Sequence, residues 1–251
     1  MLSEIYGNAL VCPQPESYFG NVNSYGPRSC YDEGKRVAES LCYAYQQLHN
    51  VDIRIARIFN AYGPGMVASD GRVVSSFIAA AMNGQPLVIT GDGSASRCFQ
   101  YVSDCISGLI KLMASEYSQP MNIGSNIPCR IDCLAKLVID LVGKNGFPTS
   151  GCHITYSAAP IDDPVLREPD ITLAKEVLEW KPVTSLEEGL QKTIEWFRSS
   201  QEGSTLGLHA TNTDQNLSTQ FNIPPVIRTQ LSNTSALIGK EQTSGRREFS
   251  Q

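Results

Sequence analysis

Strand-like and helix-like segments alternate along the chain up to about residue 200, and this alternation most constrains the fold. The stretch VDIRIARIF, residues 51–59, is rich in β-branched residues and alternates in hydropathy. The stretch RVVSSFIAAAMNG, residues 72–84, has the apolar periodicity of a helix and ends at a glycine. Alternation of such segments is typical of α/β proteins, so the sequence predicts an α/β fold.

The composition of the chain changes near residue 200. Residues 201–251 are rich in Ser, Thr, Asn and Gln and contain few large apolar residues. Such a composition cannot bury enough apolar surface to form a core and is typical of disorder. We therefore predict one domain over residues 1–200 and a disordered tail over residues 201–251.

Charge and cysteine content exclude several classes of protein. The chain has a net charge of −5, with 20 Lys plus Arg against 25 Asp plus Glu, so we expect no nucleic-acid binding. Its eight cysteines include no C-x-x-C pair, so no metal site is predicted. No apolar run approaches the ~20 residues of a membrane span, so we expect no membrane segment in this chain.

The segment SCYDEGKRVAES, residues 29–40, places Tyr31 four residues before Lys35 on a predicted helix that Ser29 caps. Side chains at i and i+4 are neighbours on a helix. An ammonium group beside a phenol lowers the pKa of the phenol, which could then act as a general base. The alternative is an exposed helix with an incidental pair, because this spacing is frequent by chance.

Four further motifs provide context for this pair: SEIYG, RIFNAYGPG, GDGSASRCFQYVSD and REPDITLAKEVLEWKP, which begin at residues 3, 57, 91 and 167. Together they resemble the extended short-chain dehydrogenase/reductase superfamily and, more narrowly, the UDP-glucuronate decarboxylase family. The resemblance runs from residue 3 to about residue 197. It implies a Rossmann-like, doubly wound parallel sheet with a smaller α/β substrate-binding subdomain.

The same resemblance implies that the chain holds only the C-terminal part of the Rossmann-like sheet. The family's Gly-rich turn, G-x-x-G-x-x-G, does not occur in this sequence, and MLSEIYG reads like the end of a buried strand. In the family this turn cradles the dinucleotide pyrophosphate at a helix N-terminus. We therefore expect an N-terminally truncated chain whose own residues bind NAD poorly.

Catalytic roles follow from the resemblance for five residues. Tyr31 would take the proton of the sugar C4 hydroxyl while NAD accepts the hydride, and Lys35 would lower its pKa. Glu4 would assist proton transfer or positioning, and Ser3 would contact the substrate carboxylate or the C4 oxygen. Arg167 would meet the carboxylate or place a water that protonates C5, because its planar fork matches a carboxylate.

Binding roles follow in the same way. The resemblance assigns NAD to Tyr31, Lys35 and Arg72. It assigns the UDP-sugar substrate to Tyr45, Asn60, Arg72 and Arg97. For Arg72 and Arg97 the alternative is a solvated position at the end of a helix or strand, and for Glu4 a surface carboxylate.

The implied activity is decarboxylation of UDP-glucuronate to UDP-xylose and CO2 through a transient NAD-dependent oxidation at C4. The 4,6-dehydratases of the superfamily carry Asp-Glu where this chain has Ser3-Glu4, which favours decarboxylation. The alternatives are another NAD-dependent sugar-nucleotide epimerase or dehydratase, and a non-catalytic relative that pairs with an intact subunit. We expect a homodimer formed through the helix that carries Tyr31. We also expect a cytoplasmic location, or the Golgi lumen if an anchor precedes these residues.

Overall fold

The computed structural model describes residues 3–159 and 166–205, and its helices and strands alternate through both ranges. The helices of this part are a 3-10 helix, Ser3–Tyr6, and α1 (Ser29–His49), α2 (Val73–Met82), α3 (Val102–Ala114), α4 (Ile131–Lys144), α5 (Thr172–Leu178) and α6 (Leu186–Thr205). Its strands are β1 (Ile55–Ile58), β2 (Ala61–Tyr62), β3 (Leu87–Thr90), β4 (Ser96–Cys98), β5 (Gln100–Tyr101), β6 (Pro120–Ile123), β7 (Pro128–Arg130), β8 (Ile154–Ser157) and β9 (Leu166–Arg167).

The predicted α/β class is confirmed by the pairing of β1 with β6. The two strands are parallel, with Ile55 opposite Pro120 and Ile58 opposite Ile123. Strands of a parallel pair are usually covered on both faces, and here α3 and α5 pack against them. The resulting core is formed by Ala56, Cys105, Leu112, Met121, Ile123, Ala174, Leu178 and Trp180.

A second core forms around α2, α4 and α6. Its best-buried side chains include Phe77, Ile78, Leu134, Val138 and Ile194. The remaining strands lie in short pairs: β2 is parallel to β5, and β3 is parallel to β8. Strand β4 is antiparallel to β7 and parallel to β9. A third, smaller cluster in the described residues is formed by Ile5, Tyr6 and Phe59.

Several local predictions need correction. SEIYG forms a 3-10 helix rather than the end of a strand. Ser29 is the first residue of α1, whose N-cap is Arg28, and no side chain caps this helix end. Helix α6 continues to Thr205, beyond the predicted boundary at residue 200. The rest of the predicted tail, residues 206–251, lies outside the described residues.

Helix α1 is unusual because its only buried residue is Asp32. Val37, Leu41 and Leu48 are all exposed. Spacings of four and seven residues place these three side chains on one face of the helix. The helix therefore presents an uncovered apolar stripe, while its first turn carries Tyr31.

Candidate active site

One cleft brings together predicted site residues that lie far apart in the sequence. Its volume is about 290 Å³, and it opens beside the carboxyl end of β1, where ligands bind in open α/β sheets. The residues that line it come from the 3-10 helix, α1, the segment after β1 and the start of α2. Among them are Ser3, Glu4, Tyr31, Asn60 and Arg72, with Phe59, Met66 and Phe99 as apolar wall.

Tyr31 lies at the edge of this cleft with 45% of its surface exposed. The Lys35 ammonium lies 5.3 Å from the centroid of its ring, so the i, i+4 pair forms a cation–π contact. Partial burial raises the pKa of Tyr31, and the Glu4 carboxylate raises it further, whereas Arg72 and Arg167 lower it. The predicted lowering of this pKa is therefore wrong for the structure as it stands, because burial outweighs the nearby cations.

Glu4 and Arg167 form a nearly buried ion pair. The Arg167 Nη1 donates to Glu4 Oε1 at 2.8 Å, and their side chains are 8% and 13% exposed respectively. Arg167 comes from β9 and Glu4 from the 3-10 helix, so the pair joins segments 163 residues apart. Both charges act on Tyr31, which places the carboxylate, the guanidinium and the phenol in one electrostatic group.

Ser3, Asn60 and Arg72 complete the wall of the cleft. Ser3 is buried at the start of the 3-10 helix. The Asn60 amide donates to the Cys98 carbonyl at 3.5 Å. The Arg72 side chain is 68% exposed, with its Nε 3.5 Å from Asp70 Oδ2. Arg72 is thus the most solvated of the three and is free to reorient toward an anionic ligand.

Two predicted substrate-binding residues lie elsewhere. Tyr45 is fourteen residues beyond Tyr31 on α1, about 21 Å at the helical rise of 1.5 Å per residue. Its ring contacts His49 at 5.4 Å between centroids, so the structure does not bring it to the cleft. Arg97 pairs with Arg167 across β4 and β9, next to the ion pair but not on the cleft wall.

Sequence reasoning missed several polar residues around the site. Asp32 is buried directly after Tyr31, and its carboxylate lies 3.7 Å from Arg28 one helical turn earlier. That spacing was readable from the sequence, since i, i+4 charge pairs are frequent on helices. Tyr6 and Asn122 gave no signal, because their partners come from distant segments and β6 was not recognised as a strand.

The described residues, 3–159 and 166–205, contain no group of three or more His, Cys, Asp or Glu side chains that could hold a metal ion. In the same part of the chain, no helix combines the length and the apolar character needed to cross a bilayer.

The sequence is similar to nucleotide-sugar enzymes. Residues 2–193 match the family model described as GDP-mannose 4,6 dehydratase. UDP-glucuronic acid decarboxylase 1 of Xenopus tropicalis is 50% identical over 200 residues, which cover 80% of this chain and 46% of that protein. UDP-glucuronic acid decarboxylase 5 of Arabidopsis thaliana is 50% identical over 196 residues, covering 78% and 56%. The chain thus spans about half the length of these curated relatives.

The fold is similar to solved epimerases. The UDP-glucose 4-epimerase of Thermotoga maritima, solved with UDP-glucose, superposes with a TM-score of 0.71 at 28% identity. The match covers 79% of this chain and 62% of that chain. The predicted fold class and the predicted resemblance to UDP-glucuronate decarboxylases are both confirmed by these similarities.

Proposed function

This chain belongs to the family that the GDP-mannose 4,6 dehydratase model describes, and from this membership we propose that it serves the decarboxylation of UDP-glucuronate to UDP-xylose and CO2. One observation carries the proposal: a single cleft is lined by five predicted site residues from four separate segments, namely Ser3, Glu4, Tyr31, Asn60 and Arg72. The 50% identity to UDP-glucuronic acid decarboxylases supports this choice of substrate.

In the proposed reaction Tyr31 acts as the acid–base group. Its phenolate takes the proton of the sugar C4 hydroxyl, and the phenol later returns a proton to the C4 oxygen. The raised pKa of Tyr31 means that the phenolate is the minor form at neutral pH. We expect a bound cation, or a shift of Arg72 toward the cleft, to lower this pKa when substrate and cofactor are present.

Arg167 and Glu4 act on the substrate carboxylate and on C5. Once C4 is oxidised, the carboxylate on C5 is that of a β-keto acid, and CO2 leaves as its bonding electrons pass into an enolate. Proton return to C5 then completes the change. Arg167 has further N–H donors beside the one held by Glu4, and these match a carboxylate or orient a water near C5.

The donors of the cleft, together with Lys35 beside Tyr31, suit the nicotinamide end of NAD. The Tyr31 phenol and the Lys35 ammonium are hydrogen-bonding groups suited to a nicotinamide ribose, and Arg72 adds a positive charge for an anionic group. When bound, NAD would accept a hydride from the sugar C4 and return it. The given residues contain no G-x-x-G-x-x-G turn for the pyrophosphate, so they account for the nicotinamide end alone.

Ser3 favours decarboxylation over dehydration. The 4,6-dehydratases of this superfamily carry an Asp-Glu pair at the positions where this chain has Ser3 and Glu4. A hydroxyl cannot supply the acid that elimination of the C6 hydroxyl needs. This chain therefore shares the fold and the acid–base tyrosine of the dehydratases for which the family model is named, and we propose a different product.

Turnover of UDP-glucuronate by the purified chain tests the proposal. We expect CO2 and UDP-xylose at saturating NAD, with weak NAD binding in calorimetry on the same sample, because the sequence contains no G-x-x-G-x-x-G turn for the pyrophosphate. UDP-galacturonate as product would replace decarboxylation by epimerisation. If the chain shows no NAD binding and no turnover, the second candidate remains, namely a non-catalytic relative that pairs with an intact subunit.

We further propose that α1 forms the contact of a homodimer. The proposal is supported by the exposed apolar stripe of Val37, Leu41 and Leu48, since such stripes on soluble proteins mark interaction surfaces. Light scattering after size exclusion should give twice the chain mass for the wild type and one chain mass for Leu41→Glu. A monomeric wild type at micromolar concentration would refute the homodimer.

A further inference from the structure

Tyr6 lies at the centre of a buried polar network behind the cleft. It is 1% exposed, its hydroxyl donates to Asn122 Oδ1 at 2.8 Å, and Arg57 Nη1 donates to the same hydroxyl at 2.9 Å. Both partners are buried as well. The phenol therefore has a fixed donor and a fixed acceptor, and it joins the 3-10 helix to β1 and β6.

Arg57 extends this network to α1. Its Nε donates to the Glu39 carboxylate at 3.2 Å, and its Nη2 forms a second, shorter bond to the same group. Arg36, also on α1, donates to the carbonyl of Ile5 at 3.2 Å. The helix that carries Tyr31 is therefore attached at two points to the 3-10 helix that carries Ser3 and Glu4.

Asn122 extends the network in the other direction, toward Arg167. Its Nδ2 donates to the carbonyls of Gln14 at 2.9 Å and Asp170 at 3.0 Å. Gln14 holds the same segment, since its Oε1 accepts from the Glu168 N–H at 2.9 Å and its carbonyl accepts from the Asp170 N–H at 3.0 Å. Glu168 and Asp170, which follow Arg167 in the chain, are thus fixed relative to Asn122.

These links close a circuit, and we propose that Tyr6 and Asn122 are positioning residues that hold Glu4 and Arg167 in register with Tyr31. The circuit runs from α1 through Arg57 to Tyr6, on through Asn122 to the segment of Arg167, and back through the ion pair to Glu4. Neither Tyr6 nor Asn122 lines the cleft, so both act through Glu4, which does, and through its partner Arg167. The assignment to catalysis rests on the proposed function.

The composition of the network favours positioning over stability as its role. Buried polar groups gain little net free energy over well-packed apolar ones, but they require one geometry to satisfy every donor and acceptor. Asn122 uses its Oδ1, its Nδ2 and its backbone N–H, which donates to Glu16 Oε1 at 2.8 Å. A displacement of any one segment would leave several of these groups without partners.

The test combines two readouts on Tyr6→Phe. The first is the titration of Tyr31, followed by NMR of 13Cζ-labelled tyrosine and assigned with Tyr31→Phe. Glu4 raises the pKa of Tyr31 more than Arg167 lowers it. If the two side chains lose their fixed positions, the pKa of Tyr31 should therefore fall by about 0.3 unit or more. The second is turnover, where we expect kcat to fall about tenfold with KM changed less than twofold.

Two further variants complete the design. Asn122→Asp keeps an oxygen that can accept from Tyr6, but it replaces the donating Nδ2 by a second oxygen, which faces the carbonyls of Gln14 and Asp170. Its effects on both readouts should therefore exceed those of Tyr6→Phe. Thr193→Val is the matched control, because it removes a buried hydroxyl that donates to Gly189 within α6. We expect Thr193→Val to leave both readouts at wild-type values.

The outcomes separate this proposal from the proposed function. A Tyr31 titration unchanged in Tyr6→Phe would overturn the positioning role, whatever happens to stability. A wild type without turnover would count against the proposed function only, since the titration still measures the link. If Asn122→Asp does not fold, Tyr6→Phe decides alone.

Discussion

Two tyrosines close to each other in this fold occupy opposite environments. Tyr6 is 1% exposed and held between Arg57 and Asn122, whereas Tyr31 is 45% exposed at the edge of the cleft. Burial raises the pKa of both phenols, to about 12 for Tyr6. The same perturbation thus acts on a phenol with two fixed partners and on one that faces solvent.

The difference shows which phenol can perform chemistry. The Tyr6 hydroxyl donates a hydrogen bond to Asn122 Oδ1, so ionisation would break a buried hydrogen bond and place a charge in the network. Burial has the largest effect on the pKa of Tyr31, and the nearby charges of Glu4, Arg72 and Arg167 come next. A charged ligand in the cleft would act directly on Tyr31, so the pKa of Tyr31 is adjustable, whereas Tyr6 does not line the cleft and its pKa is set by burial and its fixed partners.

The largest expected effect comes from removing the adjustable phenol. Tyr31→Phe should reduce UDP-glucuronate turnover by roughly 10²–10⁴-fold, the usual contribution of a general acid–base group. UDP-glucuronate affinity should change less than twofold, because the aromatic ring stays in place. Steady-state kinetics with calorimetry measures both. Tyr43→Phe, on an exposed turn of the same helix, is the control, and full activity of Tyr31→Phe would remove this residue from the mechanism.

Tyr6 should instead affect the stability of the folded chain at alkaline pH. With a pKa raised to about 12, Tyr6 stays protonated in the folded state when the unfolded chain begins to ionise at about pH 10. Its contribution is therefore complete below pH 10 and is lost as the pH rises through 12. Two pKa units correspond to about 2–3 kcal/mol of unfolding free energy.

Denaturant titrations of wild type and Tyr6→Phe from pH 8 to 12 measure this contribution. The variant should be less stable at pH 8, because Asn122 and Arg57 each lose a partner. The difference between the two proteins should then narrow above pH 10. A constant difference across this range would mean that Tyr6 ionises as easily in the folded state as in the unfolded chain.

The sequence predicts the parts of this fold that follow local rules. Helix α1 lies where the sequence predicts it, although it begins at Ser29 with Arg28 as its N-cap, and the β-branched run before residue 59 contains β1. Strands β6 (PMNI) and β7 (PCR) were missed, because each begins with a proline and contains at most one β-branched residue. The 3-10 helix at Ser3 was read as a strand end, since its conformation depends on Arg36 and Arg57, which contact it from other elements.

The candidate site also has residues that the sequence predicts and residues that it does not. The residues of recognisable motifs, such as Tyr31 and Glu4, line the cleft as the resemblance implied. The direction of the Tyr31 pKa was predicted wrongly, because a spacing of four residues shows the ammonium but not the burial of the phenol. Tyr45 was assigned to the substrate without regard to its distance along the helix. Asn122 could not be found, since its role exists only in three dimensions.

The smallest expected effect is a shift of the Tyr31 pKa in charge variants, and it tests the contrast between Tyr31 and Tyr6 most directly. Glu4 raises and Arg72 lowers the pKa of Tyr31, so Glu4→Gln should lower that pKa and Arg72→Gln should raise it. We expect shifts of about 0.3–0.7 unit in the 13Cζ titration. The pKa of Tyr6 should not follow, because Arg57, Glu16 and Asn122 determine its surroundings. Glu188→Gln and Arg130→Gln, which remove charges from exposed pairs elsewhere, are the matched controls.

Added salt separates the two contributions to the Tyr31 pKa. The Arg72 side chain is 68% exposed, so 1 M salt should remove most of its influence, since the screening length falls to about 3 Å. Glu4 is nearly buried beside Arg167, and its influence should persist. If both variants shifted the pKa in the same direction, or if salt abolished the Glu4 effect first, Tyr31 would not be governed by the charges of the cleft wall. The contrast with Tyr6 would then reduce to a difference in exposure alone.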